Sequence, residues 1–398
     1  MTSAGSPPPS GGTPLGSAAP RTRLRRLGRQ FERACKRRMT HWLARTLRPR
    51  PSPIPLAADV RALLAIRQHN QMGDMVLTLP ALRALRRAYP RARIVFVASP
   101  LCQELLADHP DIDTLIVFDK QSLWHPLALW RLVRALRHPR PDLAVVLGTV
   151  SFSTTSALLA WASGARLRAG VSSRAFGSDL SGAIYHLELP VSPSEVHEVE
   201  HNLAPLRGLG IDAPVELPTL LPGPAALLAA REFIARAFPS QDGPVIVVHP
   251  GAGKTENIWP VERFAEVARA LTQQDRARMV VSEGPRDGAV AAALLSRCPG
   301  AVRWHATLRD TIGILGCAQA FIGNDTGLAH VAAATGVPTV AIFGPTDPKR
   351  WSPAGRSVRC VRSATGRIED TRVDDVLAAV HNSLRASLTS PDRNATLR

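Results

Sequence analysis

The residues best suited to chemistry lie in four short stretches, each following an apolar run. The longest is 321–353, FIGNDTGLAHVAAATGVPTVAIFGPTDPKRWSP. Phe321 and Ile322 end a strand, Gly323 and Asn324 turn the chain, and Asp325 or Thr326 can cap a helix that carries Gly327 in its first turn. The body of that helix, 328–335, is rich in alanine; Gly336 ends it, and 339–343 reads as a second buried strand. A helix thus starts at a strand's carboxyl end with no side chain at position 327 to block approach. Unpaired amides and the positive helix terminus make an anion site there. An ordinary βαβ turn with a routine cap fits the same residues. Asp325 would not choose a phosphate neighbour unaided and suits sugar hydroxyls or capping. His330, four residues beyond Thr326 on the same helical face, is either a packed structural histidine or a ligand.

The second stretch, VIVVHPGAGKTENIWPVERF at 245–264, runs from strand through a glycine-rich loop to a helix. It is not a phosphate-binding P-loop. The first glycine of G-x4-G-K-[ST] would fall at Val248, and the helix begins well after Lys254. Nor is it a dinucleotide fingerprint, because Glu256 stands at the third glycine position. The third stretch, QHNQMGDMVLTLPALRALR from Gln68, places a loop through Gly73 and Asp74 after a strand and before a helix with Pro80 in its first turn. Asp74 is then either a turn carboxylate or a positioned base at the strand's carboxyl end. The fourth, SEGPRD at 282–287, offers Glu283 or Asp287 to a ribose, although Asp287 also suits a helix's first turn.

Taken together, NDTGLAH with GVPTVAIFGPTDPKRWSP, the GD-x4-LPALRALR run and the K-x4-WP run resemble the signatures of glycosyltransferase family 9, the heptosyltransferases of lipopolysaccharide synthesis. The resemblance covers roughly residues 62–388. It implies an inverting transfer from a nucleotide-diphosphate sugar, ADP-heptose, to a lipid-linked saccharide of the lipopolysaccharide inner core. Asp74 would be the general base. Lys254 would meet the donor phosphate, and the amides of Thr326, Gly327 and Leu328 the diphosphate. Asp325 would stand at the sugar, Glu283 or Asp287 at the ribose, and GPTDP at 344–348 would close the rim of the donor site. A donor or acceptor of another kind within the family, a sugar-nucleotide epimerase of the same architecture, and a binding protein without catalysis are the competing readings. No DxD pair follows a suitable strand, since Asp111-Ile112-Asp113 precedes one, and no His/Cys cluster has metal spacing. No metal or cofactor is therefore expected, and leaving-group charge would fall to Lys254 and the helix end.

The elements that must hold these residues alternate. Strands are expected at 62–66, 94–98, 115–118 and 143–147, with helices at 79–88, 127–136, 154–162 and 195–209. A second series places strands at 245–248, 279–281, 320–322 and 339–343, and helices at 261–271, 287–297, 308–316 and 326–335. A last helix, 373–388, has apolar residues at 373, 376, 377, 380, 384 and 388, one helical face. Alternation of this kind predicts an α/β chain of two doubly wound Rossmann-like domains facing a cleft, and the resemblance implies that this is the GT-B arrangement. The four prolines of 211–224 mark the boundary. The expected division is 1–55 as tail and basic segment, 56–210 as the acceptor-binding domain and 211–390 as the nucleotide-sugar-binding domain.

Composition sets the outer limits. A chain of 398 residues with 45% hydrophobic content supports two cores. The five cysteines, Cys35, Cys102, Cys298, Cys317 and Cys360, form no CxxC pair, which suits a reducing, cytoplasmic setting. Of the formal net charge of +17, residues 21–50 carry +11, with 12 Lys/Arg and the single acid Glu32. Residues 22–48 could therefore form a basic amphipathic helix on the inner face of an anionic membrane, with Leu27, Phe31, Ala34, Cys35 and Trp42 on its apolar side. A solvated charge run fits the same residues. With the excess confined to one tail and no nucleic-acid motif, no nucleic-acid partner is expected. Residues 1–20, rich in Ser, Pro, Gly and Thr, read as disordered tail.

Overall fold

Every apolar run expected to be a buried strand forms one, and all of them pair in parallel. The structure, a computed structural model, describes residues 60–389 apart from 69–70, 149–151, 177–179, 192–194 and 241. The expected tail and the basic segment at 22–48 lie outside the described residues. The first sheet contains β1 (Ala62–Arg67), β2 (Arg93–Ala98), β3 (Thr114–Val117), β4 (Leu143–Val146), β5 (Leu167–Val171) and β6 (Leu187–Leu189). Its helices are α1 (Met72–Val76), α2 (Leu79–Ala88), α3 (Gln103–Leu106), α4 (Pro126–Leu136), α5 (Thr154–Ala162) and α6 (Ser181–Ile184), followed by α7 (Glu198–Gly208) and α8 (Pro224–Ala237). The second sheet contains β7 (Val245–His249), β8 (Arg278–Ser282), β9 (Val302–Trp304), β10 (Ala320–Asn324), β11 (Thr339–Phe343) and β12 (Val358–Arg362). Between and after these run α9 (Val261–Asp275), α10 (Gly288–Arg297), α11 (Leu308–Cys317), α12 (Gly327–Ala334), α13 (Pro348–Trp351) and α14 (Val373–Thr389).

The strand orders are β3-β2-β1-β4-β5-β6 and β12-β11-β10-β7-β8-β9. Counted from its own first strand, each sheet has the order 3-2-1-4-5-6, that of two doubly wound Rossmann-like domains. The central strands are buried along their whole length, for instance β1, β7, β10 and β11, because helices cover both faces. The sequence reading missed β5, β6, β9 and β12, which are either short or carry charged residues. It also missed α8, whose start falls within the proline-rich boundary.

Trp259 shows how the second domain is pinned. Its indole is fully buried, sits edge-on to Phe264 with ring centroids 5.0 Å apart, and donates from Nε1 to the Thr371 carbonyl at 3.1 Å. It shares its apolar cluster with Val376 and Val380 of α14, so the predicted face of the last helix packs as expected through position 384; the side chain at 388 is outside the described ones. Trp259→Ala is expected to lower stability by about 3–5 kcal/mol, the usual cost of emptying a buried aromatic site, measured by urea unfolding.

Candidate functional site

In a doubly wound sheet, ligands collect at strand carboxyl ends where the winding direction reverses. Here those points fall between β1 and β4 and between β7 and β10. The turn after β1 carries Asp74, and the turns after β7 and β10 carry Lys254 and the 325–328 run. Position 74 is not in an open loop, as the sequence suggested. Met72–Val76 closes one helical turn, α1, and buries Asp74 within it. The Thr78 hydroxyl donates to the Asp74 carbonyl at 2.7 Å and steadies that turn.

The two edges touch. A Cβ on Gly73 would stand 2.8 Å from Cδ2 of His330, and a Cβ on Gly327 would stand 2.8 Å from Cβ of Met72 and 3.3 Å from the Gly73 amide nitrogen. Separations under 3 Å are closer than carbon atoms pack, so both positions need glycine for α1 and the N-terminus of α12 to meet. The structure therefore brings Asp74, Thr326, Gly327 and His330 to one place. Thr326 takes the N-cap position of α12, but its Oγ1 is buried without a protein partner, so the expected side-chain cap is not made. The first amides of such a helix lack partners within it. Leu328 follows in the first turn, half-buried.

The loops after β7 and β10 are joined through Asn324, which is fully buried. Its Nδ2 donates to the carbonyls of Pro250 and Gly251 at 2.9 and 3.1 Å, and its Oδ1 accepts the Trp259 amide at 3.1 Å. Both ends of the loop bearing Lys254 are thus tied to the turn bearing Asp325. Lys254 itself is exposed. Burial pushes the Asp325 carboxyl above the ordinary carboxylate value, while a hydrogen bond with Thr346 and the Lys254 ammonium pull it back. Thr346 of the GPTDP rim and Lys254 are thus both neighbours of Asp325.

The two candidate ribose acids differ in their engagements. Asp287 accepts the Gly284 amide at 3.1 Å, lies 3.6 Å from the His249 ring and fills the space a Cβ on Gly251 would need. It braces the loops after β7 and β8. Glu283 is paired with Arg303 at 3.0 Å and His305 at 3.3 Å, both of which are exposed.

Sequence reasoning missed a buried polar cluster beneath Asp74. Arg67, the last residue of β1, donates to the Leu147 carbonyl at 2.6 Å and to Oδ1 of Asn202, and faces Glu198 at 3.7 Å. Glu198 and Asn202 begin α7, and Asn202 donates onward to the Leu77 carbonyl at 3.0 Å. Glu198 is also reached from α13 by Arg350 at 3.4 Å. Burial pushes the Arg67 guanidinium below its ordinary value, and the carboxylates of Asp74 and Glu198 oppose that shift. One fully buried carboxylate is therefore shared by arginines from the two domains. The only outward signal was an arginine closing an apolar strand. Among the described residues no group of three or more His, Cys, Asp or Glu is arranged to hold a metal ion.

Residues 129–381 match the family model described as glycosyltransferase family 9 (heptosyltransferase). The chain is 28% identical over 290 residues to lipopolysaccharide heptosyltransferase 3 of Escherichia coli, covering 71% of this chain and 83% of that enzyme. In three dimensions it is similar to the glycosyltransferase family 9 structure from Veillonella parvula, with a TM-score of 0.73, 21% identity, and 83% of this chain and 99% of that one covered. It is also similar to the ADP-heptose lipopolysaccharide heptosyltransferase II of E. coli, with a TM-score of 0.68, 23% identity, and 83% and 100% covered. The fold is accordingly GT-B, two Rossmann-like domains facing a cleft.

Two outcomes follow. Removing one partner of a buried ion pair leaves charge undercompensated, so Glu198→Ala, which removes the carboxylate that Arg67 and Arg350 share, is expected to cost about 3–5 kcal/mol in urea unfolding. The second concerns acid. Burial, with the nearby His197 adding the same sign, pushes the His330 imidazole down from 6.5 to about 3. The unfolded chain protonates this ring below about 6.5 while the folded one does not, so stability is intact above that pH. It declines as pH drops from 6.5 toward 3, by up to about 1.4 kcal/mol per pH unit from this one group. Unfolding midpoints measured across that range should fall less steeply for His330→Gln.

Proposed function

The chain belongs to glycosyltransferase family 9 and is a glycosyltransferase, and on that premise we propose that it transfers heptose from ADP-heptose to a saccharide of the lipopolysaccharide core. The donor and acceptor classes come from the relatives, whose names specify heptose transfer and, in one case, ADP-heptose. The observation that supports the reading is the contact between the Met72-Gly73 turn and the Gly327–His330 turn, which brings the turn carrying Asp74 against the first turn of α12 across the two domains.

In this proposal the N-terminal domain, 56–210, holds the acceptor, and the C-terminal domain, 211–390, holds the nucleotide sugar. Asp74 accepts the proton of the acceptor hydroxyl as its oxygen attacks the anomeric carbon. The bond to the β-phosphate oxygen breaks in the same displacement, inverting the anomeric centre. Charge grows on the departing diphosphate, and the amides of Thr326, Gly327 and Leu328 together with the Lys254 ammonium are the groups suited to meet it. Asp325, beside Lys254 and Thr346, is proposed to accept hydroxyls of the donor sugar. Asp287 is committed to the loops it braces, so Glu283, whose exposed partners are free to swing aside, is the proposed ribose contact. The proposed location for transfer to a lipid-linked acceptor is the cytoplasmic face of the membrane; among the described residues no helix is long and apolar enough to cross one.

The test is a donor panel read by mass spectrometry. ADP-heptose with a core acceptor should give a heptosylated product and release ADP only when acceptor is present. Asp74→Asn should lower kcat by about 10²–10⁴, the worth of a positioned base. Sugar interconversion without acceptor, or an Asp74→Asn enzyme within a few-fold of the parent, would overturn the reading.

A further inference from the structure

Helix α4 uses its inward face for packing and turns a second apolar face to solvent. Leu132 and Leu136 are buried in the cluster that holds Leu64, Ile66 and Val97. On the other side, Trp124 is 86% exposed, Leu127 59% and Trp130 56%, and the neighbouring Leu123 and Leu129 are exposed as well. Leu127, Trp130, Arg131 and Arg134 follow the i, i+3, i+4, i+7 spacing of one helical stripe. The Arg134 guanidinium lies 5.5 Å from the centre of the Trp130 ring. A cluster of exposed tryptophan and leucine marks a surface that something covers.

Charge identifies the cover. Lys120, Arg131, Arg134, Arg137 and Arg140 are all exposed, and no Asp or Glu occurs between Lys120 and Pro141. Indole rings with interleaved arginines suit the headgroup region of an anionic bilayer, where apolar side chains enter the acyl boundary and each cation near the surface adds attraction. A twofold contact with a second copy would set this cationic surface against itself. We propose that the face formed by Trp124, Leu127 and Trp130 with its surrounding arginines docks the N-terminal domain on an anionic lipid surface. The segment leaves β3 at its carboxyl end, and β1, parallel to it in the same sheet, delivers Asp74 from that same edge. Docking here therefore presents the acceptor side of the cleft to the bilayer. That use rests on the lipid-linked acceptor proposed above, whereas the binding itself does not.

The test uses the full chain and vesicles of phosphatidylglycerol and phosphatidylcholine, with pure phosphatidylcholine vesicles as reference. The parent should co-sediment with the anionic vesicles and less with the neutral ones. Combining Trp124→Ser, Leu127→Ser and Trp130→Ser should lower the partition coefficient at least about tenfold, since shallow apolar insertion scales with the area lost. Combining Arg131→Gln, Arg134→Gln and Arg137→Gln should weaken the preference for anionic lipid. The thermal unfolding midpoint and turnover on a delipidated, water-soluble acceptor report that the variants fold, and neither should change. With brominated phosphatidylglycerol, tryptophan quenching should be weaker in a Trp124→Phe/Trp130→Phe chain than in the parent. A parent that ignores anionic vesicles overturns the proposal. So does a serine variant that binds within twofold of the parent, which would assign the binding to another surface such as residues 22–48. A serine variant that dissociates a dimer while its vesicle binding is unchanged overturns it in favour of self-association.

Discussion

Two backbone segments, one from each domain, approach more closely than side chains would permit, and the candidate site is the result of that approach. Gly73 gives its space to the His330 ring and Gly327 gives its space to Met72. The geometry needs both. A methyl group at either position would push α1, the turn that carries Asp74, off α12. Sequence spacing records the two glycines as GD and TG, but only the fold reveals that they serve one contact.

Support behind this contact is polar and buried. On the donor side, Asn324 uses both ends of its carboxamide to hold the loop that presents Lys254, and Trp259 fixes the loop's far end. The tryptophan is the anchor and the lysine is what the anchored loop carries. On the acceptor side, Arg67, Asn202 and Glu198 support the turn that carries Asp74. In both halves the groups proposed for chemistry lie one step from a buried polar residue whose partners come from distant parts of the chain.

That separation explains what could be read in advance. The central strands were legible because a parallel strand covered on both faces is a continuous apolar run. The loops carrying Lys254, Asp325 and Gly327 were legible as loops because they follow such runs directly. Edge strands such as VRCVR at β12 were not, since an edge needs apolar residues on fewer positions. The helical turn at Met72–Val76 was hidden because five residues carry too little periodicity to register. The Arg67–Glu198–Arg350 cluster was hidden for a different reason: its members lie 131 and 152 residues apart in sequence, and no local pattern announces a pair that only the closed chain creates.

Glu198 gives the molecule a mechanical property as well. Its two oxygens answer to guanidinium groups that ride on opposite lobes, so the lobes are not hinged freely. A swing that carries α13 away from α7 would take one of these counter-charges with it. Separating the two lobes at this point would cost the Glu198–Arg350 contact, and a carboxylate that no solvent reaches would need water or another cation in its place.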